Sequence, residues 1–177
     1  MSSTPSMTYQ PQYILRPVSP LFIVFSLVAA FALNILPWGQ SLLAPDFVAL
    51  VLVFWSIHHP RKVGIGVAFM MGLLMDVNEA SLLGEHALAY TLLSYGAIML
   101  HRRVLWFPLL TQALHVLPLI LLAQVVTLLV RLAVGAQFPG VLFFGESVVT
   151  AMLWPVASWL LLAPQRRPRD RDETRPI

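Results

Sequence analysis

LWFPLLTQALHVLPLILLAQVVTLLVRL, residues 105–132, is the longest apolar stretch of the chain. It contains no acidic residue, and its one arginine, Arg131, stands next to its end. A helix needs about 20 consecutive apolar residues to cross a bilayer, so this stretch predicts a membrane span. The remainder has the same character, because 58% of the 177 residues are hydrophobic and only 11% are charged.

This composition excludes two large classes of protein. Soluble domains are about 45–50% apolar and about 25% charged, and a short soluble chain has a large surface to cover. Eight acidic and eleven basic residues are too few for that surface. Disordered chains need low hydrophobicity and high charge, which this chain lacks. The composition therefore predicts an all-α, polytopic membrane helix bundle.

Six apolar segments predict six transmembrane helices. They cover residues 18–36, 42–57, 63–77, 86–100, 105–132 and 142–163. Residues 18–163 are thus the predicted membrane domain, between a tail at 1–17 and a disordered basic tail at 164–177. The second and third segments are short, so a re-entrant hairpin is the alternative to two spans. The hairpin would bury Arg61 and Lys62 in the bilayer, at about 2.5–3.5 kcal/mol each.

The basic residues predict the orientation of these spans. An even number of spans places both termini on one side of the membrane. That side also receives most of the bases, namely Arg16, Arg61, Lys62, Arg102, Arg103 and the five arginines of the C-terminal tail. The positive-inside rule then predicts that both termini are cytoplasmic. We read the net charge of +3 as a consequence of this topology and expect no nucleic-acid partner, although a nucleic-acid site in the tail is the alternative.

Asp76 is the most informative polar residue. It ends the third predicted helix, where the helix dipole disfavours a carboxylate. We expect a loop amide, Ser81 or His86 to hold it in a structural or partner-binding role. The equally weighted alternative is a surface acid among the outer headgroups. Gly84 permits a tight turn before the fourth helix, and Ser81 is the predicted cap of that helix.

Small residues predict a close helix contact. Gly64 and Gly72 are eight residues apart, share a helix face and have Ala68 between them. Such a stripe lets a neighbouring helix approach closely. We favour packing within the bundle, and a subunit interface is the alternative.

The remaining charged residues and Trp55 are predicted to act locally, at helix ends. Asp46 and Glu85 lie near helix N-termini, where capping and the dipole favour acids. Arg131 and Glu146 are predicted to meet across the loop that follows the fifth span. Trp55 lies near a span end and is predicted to anchor it at the interface.

Signatures of catalysis are not found in the sequence. It has no His-Glu-x-x-His, no Gly-x-Ser-x-Gly and no glycine-rich phosphate loop with lysine. His58 and His59 are neighbours that point to different helix faces, which makes a poor metal pair. We expect no enzymatic activity, cofactor or metal.

An ordered set of short motifs carries a family resemblance. The set is Pro45-Asp46-Phe47, Trp55, Pro60-Arg61-Lys62-Val63-Gly64, Gly66-x5-Gly72-Leu73-Leu74-x-Asp76, Leu83-Gly84-x-His86-Ala87-Leu88-x-Tyr90 and His101-x-Arg103. It resembles the rod shape-determining protein MreD family of bacterial inner membranes. The resemblance implies a multi-pass scaffold of cell elongation that organises lateral peptidoglycan synthesis. Its implied partner is MreC and, through MreC, MreB, RodA and a penicillin-binding transpeptidase.

The same family is similar in fold to the S components of energy-coupling-factor transporters. That likeness implies an alternative function, a small-molecule-binding subunit with an outer pocket near Asp76, Glu79 and Glu85. The pocket would join the loop at 76–85 to the loop at 132–142. Fold alone does not imply function, so the scaffold is preferred. An intramembrane enzyme is a third reading, disfavoured because no nucleophile–base pair or metal cluster is evident.

Overall fold

A computed structural model describes residues 18–37 and 44–165, and within these ranges the chain forms helices and turns with no strand. The helices are α1 (Pro20–Ile35), α2 (Phe47–His58), α3 (Ile65–Asn78), α4 (Glu85–Val104), α5 (Leu109–Ala133), α6 (Gly145–Met152) and α7 (Trp154–Leu162), with 3₁₀ turns at Val141–Phe144 and Ala163–Gln165. Every predicted apolar segment contains helix, which confirms the all-α class. The predicted tail at 1–17 and residues 166–177 of the predicted tail at 164–177 lie outside the described residues. The prediction that disorder begins at 164 is wrong, because Pro164 and Gln165 belong to the last 3₁₀ turn and Gln165 is buried.

The sixth predicted segment is divided into two helices. Leu153 separates α6 from α7, and its amide donates to the carbonyls of Val149 and Thr150. Pro155 occupies the first turn of α7. Proline has no N–H and is tolerated in a first turn, where that group has no helical acceptor. The break therefore follows from the position of Pro155.

Helix α2 lies at the centre of the bundle. Every residue from 48 to 57 is buried, and the helix packs against α1, α4 and α7. A helix that is apolar on all faces is expected to be enclosed in this way. The prediction that Trp55 is an interfacial anchor is wrong, because its side chain is fully buried and its Nε1 donates to Ser26 Oγ at 2.8 Å.

Helices α3 and α4 pack most closely at Gly72. A Cβ at this position would lie 2.3 Å from the Cα of Ala87, so the two backbones touch. Ala68, one turn earlier, is also fully buried. Gly64 does not belong to this contact, because it is the N-cap of α3 and its nearest neighbour is the Pro60 carbonyl oxygen at 3.7 Å. The small-residue face therefore serves packing within the bundle, and it begins after Gly64.

The outward surface of the bundle is strongly apolar. Leu21, Val77, Leu110, Val141 and Met152 each expose more than two thirds of their area. Extensive exposed apolar surface on a folded chain marks a membrane or partner contact. Two segments of 25 residues, Leu109–Ala133 and Val141–Gln165, are long and apolar enough to cross a membrane.

The shorter helices do not form a separate unit. α2 packs mainly with α4 and α1, and α3 packs mainly with α4. This arrangement favours two independent helices over a hairpin that packs on itself. With 12 residues in α2 and 14 in α3, both are shorter than a standard span, which local thinning of the bilayer can accommodate.

Candidate functional site

The charged residues of the described chain lie at opposite ends of the bundle. We call one the acidic end. It is formed where α1, α3 and α5 finish and where α2, α4 and α6 begin, and it holds Asp46, Asp76, Glu79, Glu85, Arg131 and Glu146. The basic end is the other, and it holds Arg61, Lys62, Arg102 and Arg103. Lys62 closes the basic end onto α1, because its Nζ donates to the Val18 carbonyl oxygen at 2.5 Å.

Asp76 is enclosed by hydrogen-bond donors and is only 1% exposed. Its Oδ1 accepts from His86 N at 2.7 Å and from Ser81 Oγ at 3.2 Å. Its Oδ2 accepts from Gly84 N at 2.8 Å and from Ala87 N at 3.4 Å. All three predicted holders of Asp76 are therefore present. The alternative of a surface acid is wrong.

The position of Asp76 resolves the conflict with the dipole of its own helix. The amides of His86 and Ala87 belong to the first turn of α4, where N–H groups have no helical acceptor. Asp76 thus lies at the favourable N-terminus of α4 as well as at the unfavourable C-terminus of α3. The N-cap residue of α4 is Gly84, which has no side chain to cap with. The prediction that Ser81 caps α4 is wrong, because the carboxylate of Asp76 does so.

Gly84 makes this geometry possible. Its φ is +103°, in the left-handed region that favours glycine. This conformation turns the chain so that the Gly84 amide points at Asp76. The ring of His86 completes the enclosure, with Nδ1 at 2.9 Å from Asp76 Oδ1. A carboxylate only accepts, so Nδ1 is assigned the hydrogen.

Asp46 joins four helices at the same end. As predicted, it caps α2, accepting from Ala49 N at 2.9 Å. It also accepts from Asn34 Nδ2 of α1 at 3.0 Å and from the Tyr90 hydroxyl of α4 at 2.7 Å. Its own amide donates to Thr150 Oγ1 of α6 at 3.0 Å. Our sequence reasoning missed Asn34, although an amide side chain in an otherwise apolar helix is a signal for a buried partner.

The structure pairs Arg131 differently from the prediction. Arg131 Nε lies 2.5 Å from Glu85 Oε1, and its Nη2 lies 3.8 Å from Glu79 Oε2. Among the described residues, Glu146 forms no ion pair with it and instead accepts from Gln124 Nε2 at 2.9 Å. The reason is that α5 packs along α4, so the last turn of α5 meets the first turn of α4. Glu85, only 2% exposed, is therefore an ion-pair partner and not a cap.

Gln124 connects α5 to the beginning of α6. Its Nε2 donates to the Phe143 carbonyl at 2.7 Å as well as to Glu146, and its Oε1 accepts from Ser147 Oγ. Gln124 and Thr127 are both buried. The polar side chains of α5 at these positions therefore point toward protein.

Glu79 is the partly exposed member of the acidic end, with 40% of its side chain exposed. Its Oε2 lies 3.6 Å from His86 Nε2. Burial raises the pKa of the Glu79 carboxyl above its ordinary value, and the nearby His86 opposes that rise. Within the described ranges, no three His, Asp or Glu residues are grouped so that they could hold a metal ion. The chemical role of the acidic end is therefore to hold helices together, through hydrogen bonds and ion pairs between its own side chains and nearby backbone amides.

The predicted outer pocket coincides with this network. Arg131, at the end of α5, pairs with Glu79 and Glu85. These ion pairs lie between the loop at 76–85 and the loop at 132–142, where the pocket was expected. A cavity of about 750 Å³ lies instead at the basic end, between the last turn of α4 and the first turns of α5.

The fold and the charge distribution together define a helical membrane protein in which buried polar groups form bonds between helices. Comparison with known proteins defines it further. The family model for the rod shape-determining protein MreD matches residues 12–163. A rod shape-determining protein MreD of Haemophilus influenzae is 32% identical over 145 residues, which is 76% of this chain and 83% of the relative. The chain belongs to the rod shape-determining protein MreD family. No solved structure matches it, so the likeness to transporter S components stays a prediction.

Proposed function

We propose that this protein is a non-enzymatic scaffold of the cell-elongation machinery in the bacterial inner membrane. In this role it would maintain rod shape by organising lateral peptidoglycan synthesis. Family membership supports the role in shape. One structural observation supports a scaffold, namely that the buried polar groups of the acidic end bond to one another and to backbone amides across helices.

The proposed topology is six spans with both termini in the cytoplasm. Its support is the separation of charge, because the positive-inside rule assigns Arg61, Lys62, Arg102 and Arg103 to the cytoplasmic face. Fusions of a fluorescent protein and of alkaline phosphatase to either terminus test it. Fluorescence with no phosphatase activity at both termini is expected. Phosphatase activity at either terminus would refute the topology.

The proposed partner is an MreC-like membrane protein and, through it, MreB, RodA and a penicillin-binding transpeptidase. The basis is the family alone. We expect the contact to use apolar helix faces that are exposed in the described chain, such as those carrying Phe25 of α1 and Met70 of α3.

Depletion in a rod-shaped host tests the function. Cells should become round, and an MreC-like protein should no longer co-purify with the remaining elongation proteins. Re-expression of the full chain should restore both readouts, which controls for secondary effects of depletion. Unchanged shape together with loss of vitamin uptake would reject the scaffold in favour of a transporter subunit.

A further inference from the structure

The cavity at the basic end combines cationic and apolar walls. Its volume is about 750 Å³, and it lies where α4 ends at Val104 and α5 begins at Leu109. The polar part of its lining consists of His101, Arg102, Arg103 and His115. The apolar part includes Trp106 and Phe107 in the connecting loop.

The positive charge of this cavity is not neutralised by the described chain. Arg102 and Arg103 are exposed, and neither has an ion-pair partner among the described residues. All five acids in the described ranges lie at the acidic end. Arginine is permanently charged and presents a planar set of donors suited to phosphate oxygens. The cavity is therefore complementary to an anionic group.

Both histidines use the same nitrogen for structure. His101 Nδ1 lies 2.5 Å from the Ile98 carbonyl oxygen, and His115 Nδ1 lies 2.9 Å from that of Thr111. A carbonyl only accepts, so Nδ1 donates in each case and Nε2 is left for a ligand. The His115 ring is further fixed by stacking on Phe107, with ring centroids 4.8 Å apart.

The apolar wall is unusually open. Trp106 is 90% exposed, although a tryptophan loses favourable free energy when its ring faces water. Exposed tryptophan next to arginine at the end of a membrane helix is typical of the headgroup region. A small hydrophilic anion would leave this wall uncovered, whereas a lipid would cover it with glycerol and the upper acyl chain.

We propose that this cavity is a binding site for one anionic glycerophospholipid, with the phosphate between Arg102 and Arg103 and the upper acyl chain against Trp106. Basic pockets between membrane helices on the cytoplasmic side bind anionic lipid headgroups in other proteins. The site extends beyond the scaffold function and does not depend on it.

Native mass spectrometry of the full chain in detergent tests the proposal. The probe is a mixture of phosphatidylglycerol and phosphatidylcholine with identical acyl chains. The wild-type chain should retain phosphatidylglycerol preferentially. The double variant Arg102→Gln, Arg103→Gln should lose this preference by about 25-fold, since each basic residue near an anionic surface contributes about fivefold.

A matched control removes the same charge elsewhere. The variant Arg61→Gln, Lys62→Gln, also at the basic end, should keep the preference, because neither residue lines the cavity. Equal losses in both double variants would overturn the proposal, since only general charge attraction would then operate. Absence of any preference in the wild-type chain would overturn it as well.

Two further measurements separate a lipid site from a phosphate site. Excess inorganic phosphate should leave phosphatidylglycerol bound, and displacement by phosphate would contradict a lipid as the occupant. Trp106→Ala should weaken retention of both lipids about threefold to tenfold, a range set by the loss of one large apolar contact, while the preference for the anionic lipid remains. Unaltered retention would contradict the acyl contact. A thermal melt equal to wild type establishes that each variant is folded.

Discussion

The acidic and basic ends of this bundle solve the problem of charge in a membrane protein in opposite ways. At the acidic end, Asp76 and Glu85 are almost fully buried. Asp76 accepts hydrogen bonds from the beginning of α4, and Glu85 pairs with Arg131 of α5. At the basic end, Arg102 and Arg103 are exposed and border an open cavity. The charges of the acidic end are used inside the fold, whereas Arg102 and Arg103 at the basic end are presented at the surface.

Position along a helix therefore does not determine whether a charged residue stabilises the fold or stays exposed. In the part of the chain that the structure describes, both ends have charged residues at helix termini, but only the acidic end adds a loop that folds back over a carboxylate. That loop depends on Gly84, and it delivers the amides of two residues of α4 to an acid of α3. Charges enclosed in this way stabilise the fold, while exposed charges remain free for a ligand or partner.

Replacing Asp76 by alanine should have the largest effect on stability. His86 and Gly84 would lose their acceptor inside a buried site, and removal of one member of a buried charged network costs about 3–5 kcal/mol. Thermal and denaturant unfolding of the purified chain in detergent measures the loss. Arg102→Ala at the basic end is the control, with an expected change within about 0.5 kcal/mol. Equal effects at the two ends would refute the comparison.

Replacing Gly72 by alanine should have the next largest effect. The new Cβ would meet the backbone of Ala87, which cannot move as a side chain can. Overpacking of this kind costs about 1–3 kcal/mol. Gly66→Ala is a matched control in the same helix, because a Cβ there would meet nothing within 4 Å. That variant should be neutral or stabilised by up to about 1 kcal/mol through better helix propensity, and a loss equal to that of Gly72→Ala would contradict the close contact.

A pair of double-mutant cycles tests the corrected partner of Arg131. The cycle of Arg131→Gln with Glu85→Gln should give a coupling energy of about 0.5–3 kcal/mol, as residues in contact do. The cycle of Arg131→Gln with Glu146→Gln should be additive within about 0.5 kcal/mol. The free energies of unfolding of the wild type and of all variants, measured in detergent, give both coupling energies. The reverse result would reinstate the Arg131–Glu146 pair.

The smallest effect is expected from Arg102→Gln combined with Arg103→Gln. Exposed residues without ion-pair partners contribute within about 0.5 kcal/mol to stability. The melting temperature should therefore equal that of the wild-type chain. A clear drop would mean that Arg102 and Arg103 also hold helices together, which would remove the contrast with Asp76 and Glu85.

The class of fold was predictable from the sequence because it depends on summed properties. Apolar segments locate helices regardless of what the helices pack against. Each of the six predicted segments therefore contains helix, and the predicted end of the fifth lies within one residue of the end of α5. The break at Leu153 was missed, although Pro155 was visible. Its effect depends on where a helix begins, and apolar periodicity does not reveal that.

The site was predictable only where the interaction is local in sequence. Asp76 and its holders lie within eleven residues of each other, and the helix dipole argument identified them. The partner of Arg131 was predicted wrongly because Glu146 is nearer in the chain, whereas Glu85, 46 residues away, is nearer in space. The prediction that Trp55 is an interfacial anchor was also wrong because it relied on position in the sequence alone. A position near a helix end indicates an interface only when no other helix covers it.

Cell shape and protein stability in one Asp76 variant separate a structural role of this residue from a role in partner binding. A host depleted of its own rod shape-determining protein would express the chain carrying Asp76→Ala, and cell shape, membrane abundance and melting temperature would be measured together. Rod shape should be lost because the protein is unstable and scarce, and it should return when expression is raised to restore the amount. Round cells containing a normal amount of a normally stable variant would contradict the structural role, because Asp76 would then act by contacting a partner.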